Sequence, residues 1–224
     1  MNSNRTDASG PRCLLSSPTR VRVLIVVEGT TDVAFLQNLS AILAQYDERL
    51  PNLAELSVSG EVVFLPFGGG NVAAWRDRLA PLGIAEFHLY DGELPPETAV
   101  RQQAAAIVSA RPNCLAAVTS KRSLENYLHP AAIRAAGGPL VTIGPADDVG
   151  LAVAEAHHRA HYPSPWRSLR RQQRRTLVHK TKRWLANVAV CQMTPAWLNE
   201  VDPAGEVRSW FLAIGELGRF KSLP

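Results

Sequence analysis

Val21-Arg22-Val23-Leu24-Ile25-Val26-Val27-Glu28-Gly29-Thr30-Thr31-Asp32 is the stretch on which the fold reading turns. Five apolar, mostly β-branched residues in a row suit a central parallel strand buried on both faces. The run stops at an acid and a glycine. Val33, Leu36, Leu39, Ile42 and Leu43 then recur at helical spacing.

The same unit repeats along the first half of the chain. A strand over 61–67 runs into Gly68-Gly69-Gly70-Asn71 and a helix over about 72–79. A strand over 85–90 ends in Asp91-Gly92-Glu93 and precedes a helix over 96–110. A fourth strand, 114–119, ends at Ser120-Lys121-Arg122-Ser123-Leu124-Glu125-Asn126-Tyr127-Leu128. Strand and helix alternating over short connections predict right-handed crossovers and a parallel sheet. Beyond about residue 130 the rhythm gives way to helical patterns over 148–160, 165–191 and 203–215. The expected architecture is α/β, a Rossmann-like parallel sheet of about four strands with flanking helices, followed by a mostly helical C-terminal lobe. Residues 1–19, rich in Ser, Asn, Thr and Pro, read as a disordered lead-in. Domain boundaries follow at 20–130 and 131–224.

Bulk properties narrow the class. The chain has 224 residues, 46% of them hydrophobic, and a formal net charge of +4, which permits binding to nucleic acid without requiring it. Cys13, Cys114 and Cys191 are odd in number and far apart, which excludes a disulfide framework and a structural zinc of C-x-x-C type. No apolar run reaches the roughly 20 residues of a bilayer span, and Cys13-Leu14-Leu15 is too short for a signal-peptide core. A cytoplasmic protein without membrane contact is expected.

Open parallel sheets carry their working residues at the C-terminal ends of the strands. Here three such ends bear acids: Glu28 with Asp32, Asp91 with Glu93, and Glu125. Each alone suits a helix cap or a solvated surface, Asp32 above all. Their convergence on one sheet edge suits a hard divalent cation, which takes oxygen ligands and keeps several waters.

These residues also carry a resemblance. Val27-Glu28-Gly29-Thr30-Thr31-Asp32 resembles the first Toprim motif, and Tyr90-Asp91-Gly92-Glu93 the second, with Glu93 standing where Asp is common. Lys121 to Leu128 resembles the Glu-Asn-Tyr segment in Toprim domains of the OLD (overcoming lysogenization defect) nucleases. The resemblance spans about residues 21–130. It implies Mg²⁺- or Mn²⁺-dependent phosphodiester chemistry with one or two ions. Glu28 would act as general acid/base or metal ligand, and Asp32, Asp91, Glu93 and Glu125 as metal ligands. No G-x-x-x-x-G-K-[ST] occurs in the sequence. The resemblance is therefore to an OLD-type Toprim domain as a stand-alone chain without the ATPase part.

Residues 167–183 hold eight Lys or Arg and no acid. On a helix, Arg167, Arg170, Arg171, Arg174 and Arg175 make one basic stripe suited to phosphate contact, or else a solvated face. Lys180 and Lys182 flank a packing face of Leu177, Thr181, Trp184, Leu185 and Val188. Either lysine could stabilise charge developing on a phosphate, and no motif chooses between them. Gly68 to Asn71 reads as a tight turn in preference to a phosphate cradle. His157 and His161 read as surface residues, Trp166, Trp184, Trp197 and Trp210 mostly as core anchors, and Cys114 as buried.

Three functions compete. The first is a DNA endonuclease or nickase of OLD-like Toprim type. The second is a metal- and nucleic-acid-binding subunit that works only with a separately encoded ATPase. A primase-like nucleotidyl transferase ranks last, because no zinc module accompanies the motifs. DNA is the expected partner, and an oligomer is compatible with the sequence.

Overall fold

The computed structural model describes residues 21–69 and 72–220. The expected lead-in, Cys13 and the Gly70-Asn71 half of the glycine-rich turn lie outside the described residues. Four strands form one parallel sheet: β1 (Val23–Val27), β2 (Val62–Pro66), β3 (Ala85–Tyr90) and β4 (Cys114–Val118). Their order is β2-β1-β3-β4, so β1 is internal, and every residue of it is buried. An apolar, β-branched strand is stable there because both of its faces are covered.

Helices α1 (Thr30–Ala44), α2 (Leu53–Val58), α3 (Val72–Trp75) and α4 (Glu97–Ser109) fall between the strands. On one face Val23, Ile25 and Phe87 pack with Phe35, Leu36 and Leu39 of α1. On the other, Leu24 and Val26 pack with Leu79, and Tyr90 packs with Ala104 and Ala105 of α4. Glu86 and His88 of β3 are fully enclosed. They satisfy each other (Nε2 to Oε2, 2.7 Å), and Arg111 grips Glu86 at 2.7 and 3.1 Å, as buried charge requires.

The later helices are α5 (Pro130–Ala135), α6 (Val149–His161), α7 (Arg171–Trp184), α8 (Pro195–Val201) and α9 (Glu206–Gly218). They share the core of the sheet. Trp210, Phe211 and Ile214 of α9, with Leu185 and Ala189, join the cluster built on β1 and β3. The apolar interior therefore runs without a break across residue 130.

Several local expectations change. The helix expected over 165–191 is broken: a short 3₁₀ turn, Trp166–Ser168, precedes α7, and Leu169 and Arg170 are extended. After Trp184 a π turn, Leu185–Ala189, inserts extra residues into the spiral. It rotates Ala186 and Ala189 inward and leaves Val188 41% exposed, off the packing face expected for it. The helix after β2 stops at Trp75, and α2 had no forecast. Cys114, Trp166 and Trp210 are buried, and Trp184 and Trp197 pack against the core.

Phe211 has no exposed surface, whereas Leu140 is 83% exposed. Phe211→Ala should lower unfolding free energy by about 3–5 kcal/mol and Leu140→Ala by less than about 0.5 kcal/mol. Denaturant titration followed by tryptophan fluorescence checks this. Equal effects would show that α9 is not part of the sheet's core.

Candidate metal centre

Parallel register brings the acids together. Val26 is level with His88 and Tyr90 with Val118, so the chain leaves β1, β3 and β4 at one edge. Glu28 stands immediately beyond β1, and the backbone N–H of Asp91 donates to its Oε1 at 3.3 Å. Carboxylate oxygens of Glu28, Asp91 and Glu93 lie within 4.8 Å of one another.

The Asp91-Gly92-Glu93 turn is pinned to the exit from β4. Gly92 N–H donates to Thr119 Oγ1 (2.7 Å) and Glu93 N–H to Arg122 O (2.9 Å). A Cβ on Gly92 would collide with the Thr119 and Lys121 carbonyls, so only glycine fits there. Glu93 takes a left-handed conformation, φ 49°. It reaches Asp91 through this turn.

Asp32 both caps and faces the cluster. Its Oδ2 accepts the Gly29 N–H at 2.7 Å inside the first turn of α1, where a helix favours negative charge. Burial, then the Glu125 and Glu28 charges, nonetheless push its pKa up to about 7. The Asp91 carboxyl rises well above its ordinary value, first by burial and then through Asp32, Glu125 and Glu28. Its Oδ1 accepts the Leu124 N–H at 3.2 Å.

The Glu125-Asn126-Tyr127 segment divides its labour. Glu125 is buried and meets Lys182 Nζ at 3.3 Å. Asn126 holds the loop, accepting from Ser123 and donating to the Gly144 and Asp147 carbonyls. Tyr127 donates to Glu206 of α9, which also binds Ser120.

Of the two lysines, Lys182 enters the site and Lys180 stays exposed. The stem of Lys182 lies across α6: a Cβ on Gly150 would sit 2.8 Å from its Cγ. Burial works against its charge, but Glu125, Asp91 and Asp148 outweigh that and raise its pKa.

Lys182 also lines a cleft of about 900 Å³ between α6 and α7, with Arg167, Arg171, Arg174, Arg175, Asp148 and His179. Arg170, the residue before α7, does not line it, because the chain there is extended and the helical stripe starts one residue later. His157 and His161 are exposed and stacked on each other.

Arg101 was missed. It is almost fully buried and grips Glu28, Nε to Oε1 at 2.8 Å and Nη2 to Oε2 at 3.2 Å, with Nη2 3.9 Å from Glu93. Arg122 Nε lies 3.7 Å from Glu93. A signal was present. Arg101 shares the buried stripe of α4 with Ala104, Ala105 and Val108, and an arginine on such a stripe needs a buried acid.

No protein-family model matches the chain, and no curated protein matches its sequence. Two solved structures of the C-terminal region of the Xanthomonas campestris pv. campestris OLD protein, phased with iodine and with platinum, show a loose likeness. They are 14% and 13% identical, with TM-scores of 0.38 and 0.37. The likeness covers 91% of this chain in both and 89% and 87% of theirs. It supports no conclusion about activity. Among the described residues no helix is long and apolar enough to cross a membrane.

The donor set suits a hard divalent cation: several carboxylates crowded at one edge, with Asp32 and Asp91 raised in pKa by burial and then by neighbouring negative charge, a crowding that an ion would relieve. Because the Asp32 carboxyl rises from 3.8 to about 7 on folding, the folded chain holds the extra proton. Metal-free stability from this group should therefore fall as pH rises from about 4 to 7. Added Mn²⁺ should raise the melting temperature more at pH 8 than at pH 5. Differential scanning fluorimetry reads this, and a shift of equal size at both values would count against metal capture by these acids.

Proposed function

We propose that this chain is a Mg²⁺- or Mn²⁺-dependent nuclease of Toprim type, OLD-like, that hydrolyses phosphodiester bonds in DNA. One observation supports the reading most: Lys182 belongs at once to the carboxylate cluster and to the arginine-lined cleft. A strand held by its phosphates in that cleft would run past Lys182 to the acids.

Each residue has a role in this reading. Asp91, Asp32, Glu93 and Glu125 are the carboxylates available to hold a divalent ion. Bound there, the ion supplies neutralisation of the scissile phosphate and a lower pKa for the attacking water. Arg101 orients Glu28 through both carboxylate oxygens, so that Glu28 can take a proton from water at a carboxylate oxygen. The Lys182 ammonium, its stem immobilised over Gly150, meets charge developing on the phosphate. Arg167, Arg171, Arg174 and Arg175 hold flanking phosphates and leave sequence unread.

Nicking of supercoiled plasmid with Mn²⁺ is the direct test. Wild type should cleave, and Glu28→Gln and Asp91→Asn should lose essentially all activity. Equal cleavage by all three would reject the assignment. Lys182→Ala should reduce kcat by roughly 10²–10³, as for loss of one transition-state donor, while Lys180→Ala should match wild type.

The cleft makes a separate forecast. Arg174→Ala with Arg175→Ala should weaken duplex binding and flatten the plot of log affinity against log salt, by about 0.9 for each phosphate no longer neutralised. Fluorescence anisotropy at several salt concentrations measures it. An unchanged slope would assign the stripe to solvent.

A further inference from the structure

Resting on that reading, we propose that Arg101 takes the place of one of two cations at the carboxylate cluster, so that the site binds a single divalent ion, on the Asp91 side.

Two-ion phosphodiester sites need carboxylates free to bridge or flank both ions. Glu28 is not free in this sense. Both its oxygens are engaged by one guanidinium, at 2.8 and 3.2 Å, and Oε1 also accepts the Asp91 N–H. The pair is enclosed, with side-chain exposures of 9% for Arg101 and 14% for Glu28. A paired, bidentate arginine in that setting is planar, permanently charged and hard to displace. Breaking it would strand a buried charge.

The position of Arg101 matters as much as its strength. The guanidinium stands where the Glu28 and Glu93 carboxylates approach each other, 2.8 Å from one and 3.9 Å from the other. Of the close trio Glu28, Asp91 and Glu93, only Asp91 forms no ion pair with an arginine among the described residues. Asp32 and Glu125, whose charges act on Asp91, do not pair with Arg101 either.

Arg101 is thus a positioning residue that sets metal number, and its removal should open the vacated place. The experiment is Mn²⁺ titration of the full chain by isothermal calorimetry, with electron paramagnetic resonance to detect spin coupling between adjacent Mn²⁺ ions. Wild type and Arg101→Lys should bind one ion per chain with no Mn–Mn coupling. Arg101→Met should bind two, with coupling; far-UV circular dichroism and melting curves confirm that it is folded. If Arg101→Met is unfolded, wild type and Arg101→Lys still decide the stoichiometry.

Two coupled ions in wild type would overturn this inference and leave the nuclease assignment standing. One ion in a folded Arg101→Met would overturn the role of Arg101. No bound Mn²⁺ in wild type would overturn the nuclease assignment, and this inference with it.

Discussion

Carboxylates crowded at one point repel one another. At an effective dielectric near 20, a pair 4 Å apart interacts by about 4 kcal/mol. Glu28, Asp32, Asp91, Glu93 and Glu125 accept that penalty at one sheet edge, and much of the surrounding structure offsets it. Gly29, Asp91 and Leu124 turn backbone N–H groups toward the acids. Arg101, Arg122 and Lys182 bring positive charge from three different elements. Burial first, and then the neighbouring charges, still raise the Asp32 and Asp91 carboxyls.

The helical second half of the chain is bound into this arrangement at two points. Helix α9 closes one face of the sheet with Trp210, Phe211 and Ile214 and fixes the loop after β4 through Glu206, Tyr127 and Ser120. Helix α7 delivers Lys182 and walls the arginine cleft. Glu125 pairs with Lys182 of α7 and lies two residues before Tyr127, which bonds Glu206 of α9, so the geometry of the acid edge depends on both helices. The β4 exit segment joins anchoring residues, Asn126 and Tyr127, to one residue that faces the cluster.

Strands were the most legible elements. Each run from Val23, Val62, Ala85 and Cys114 became a strand within a residue or two of its expected bounds, because short, turn-bounded runs rich in β-branched and aromatic residues mark extended chain locally. Helix ends were less legible. The break at Leu169-Arg170 and the π turn after Trp184 answer to packing against α6 and α1, and propensity alone does not encode them. That rotation is why Val188 faces solvent. Gly92 shows the same limit: its need for glycine comes from the Thr119 and Lys121 carbonyls across the loop.

Sequence by itself determined the α/β rhythm, the parallel sheet and the placing of acids just past the strand ends, because strand periodicity and the position of strand ends are local properties of the chain. Tertiary structure alone decided that Lys182 and not Lys180 meets Glu125, that Arg170 leaves the cleft, and that Arg101 closes on Glu28. Those pairings join side chains 57 and 73 residues apart. A charge carries no local mark of its partner, so only the assembled helices and sheet could choose among the arginines and lysines on offer.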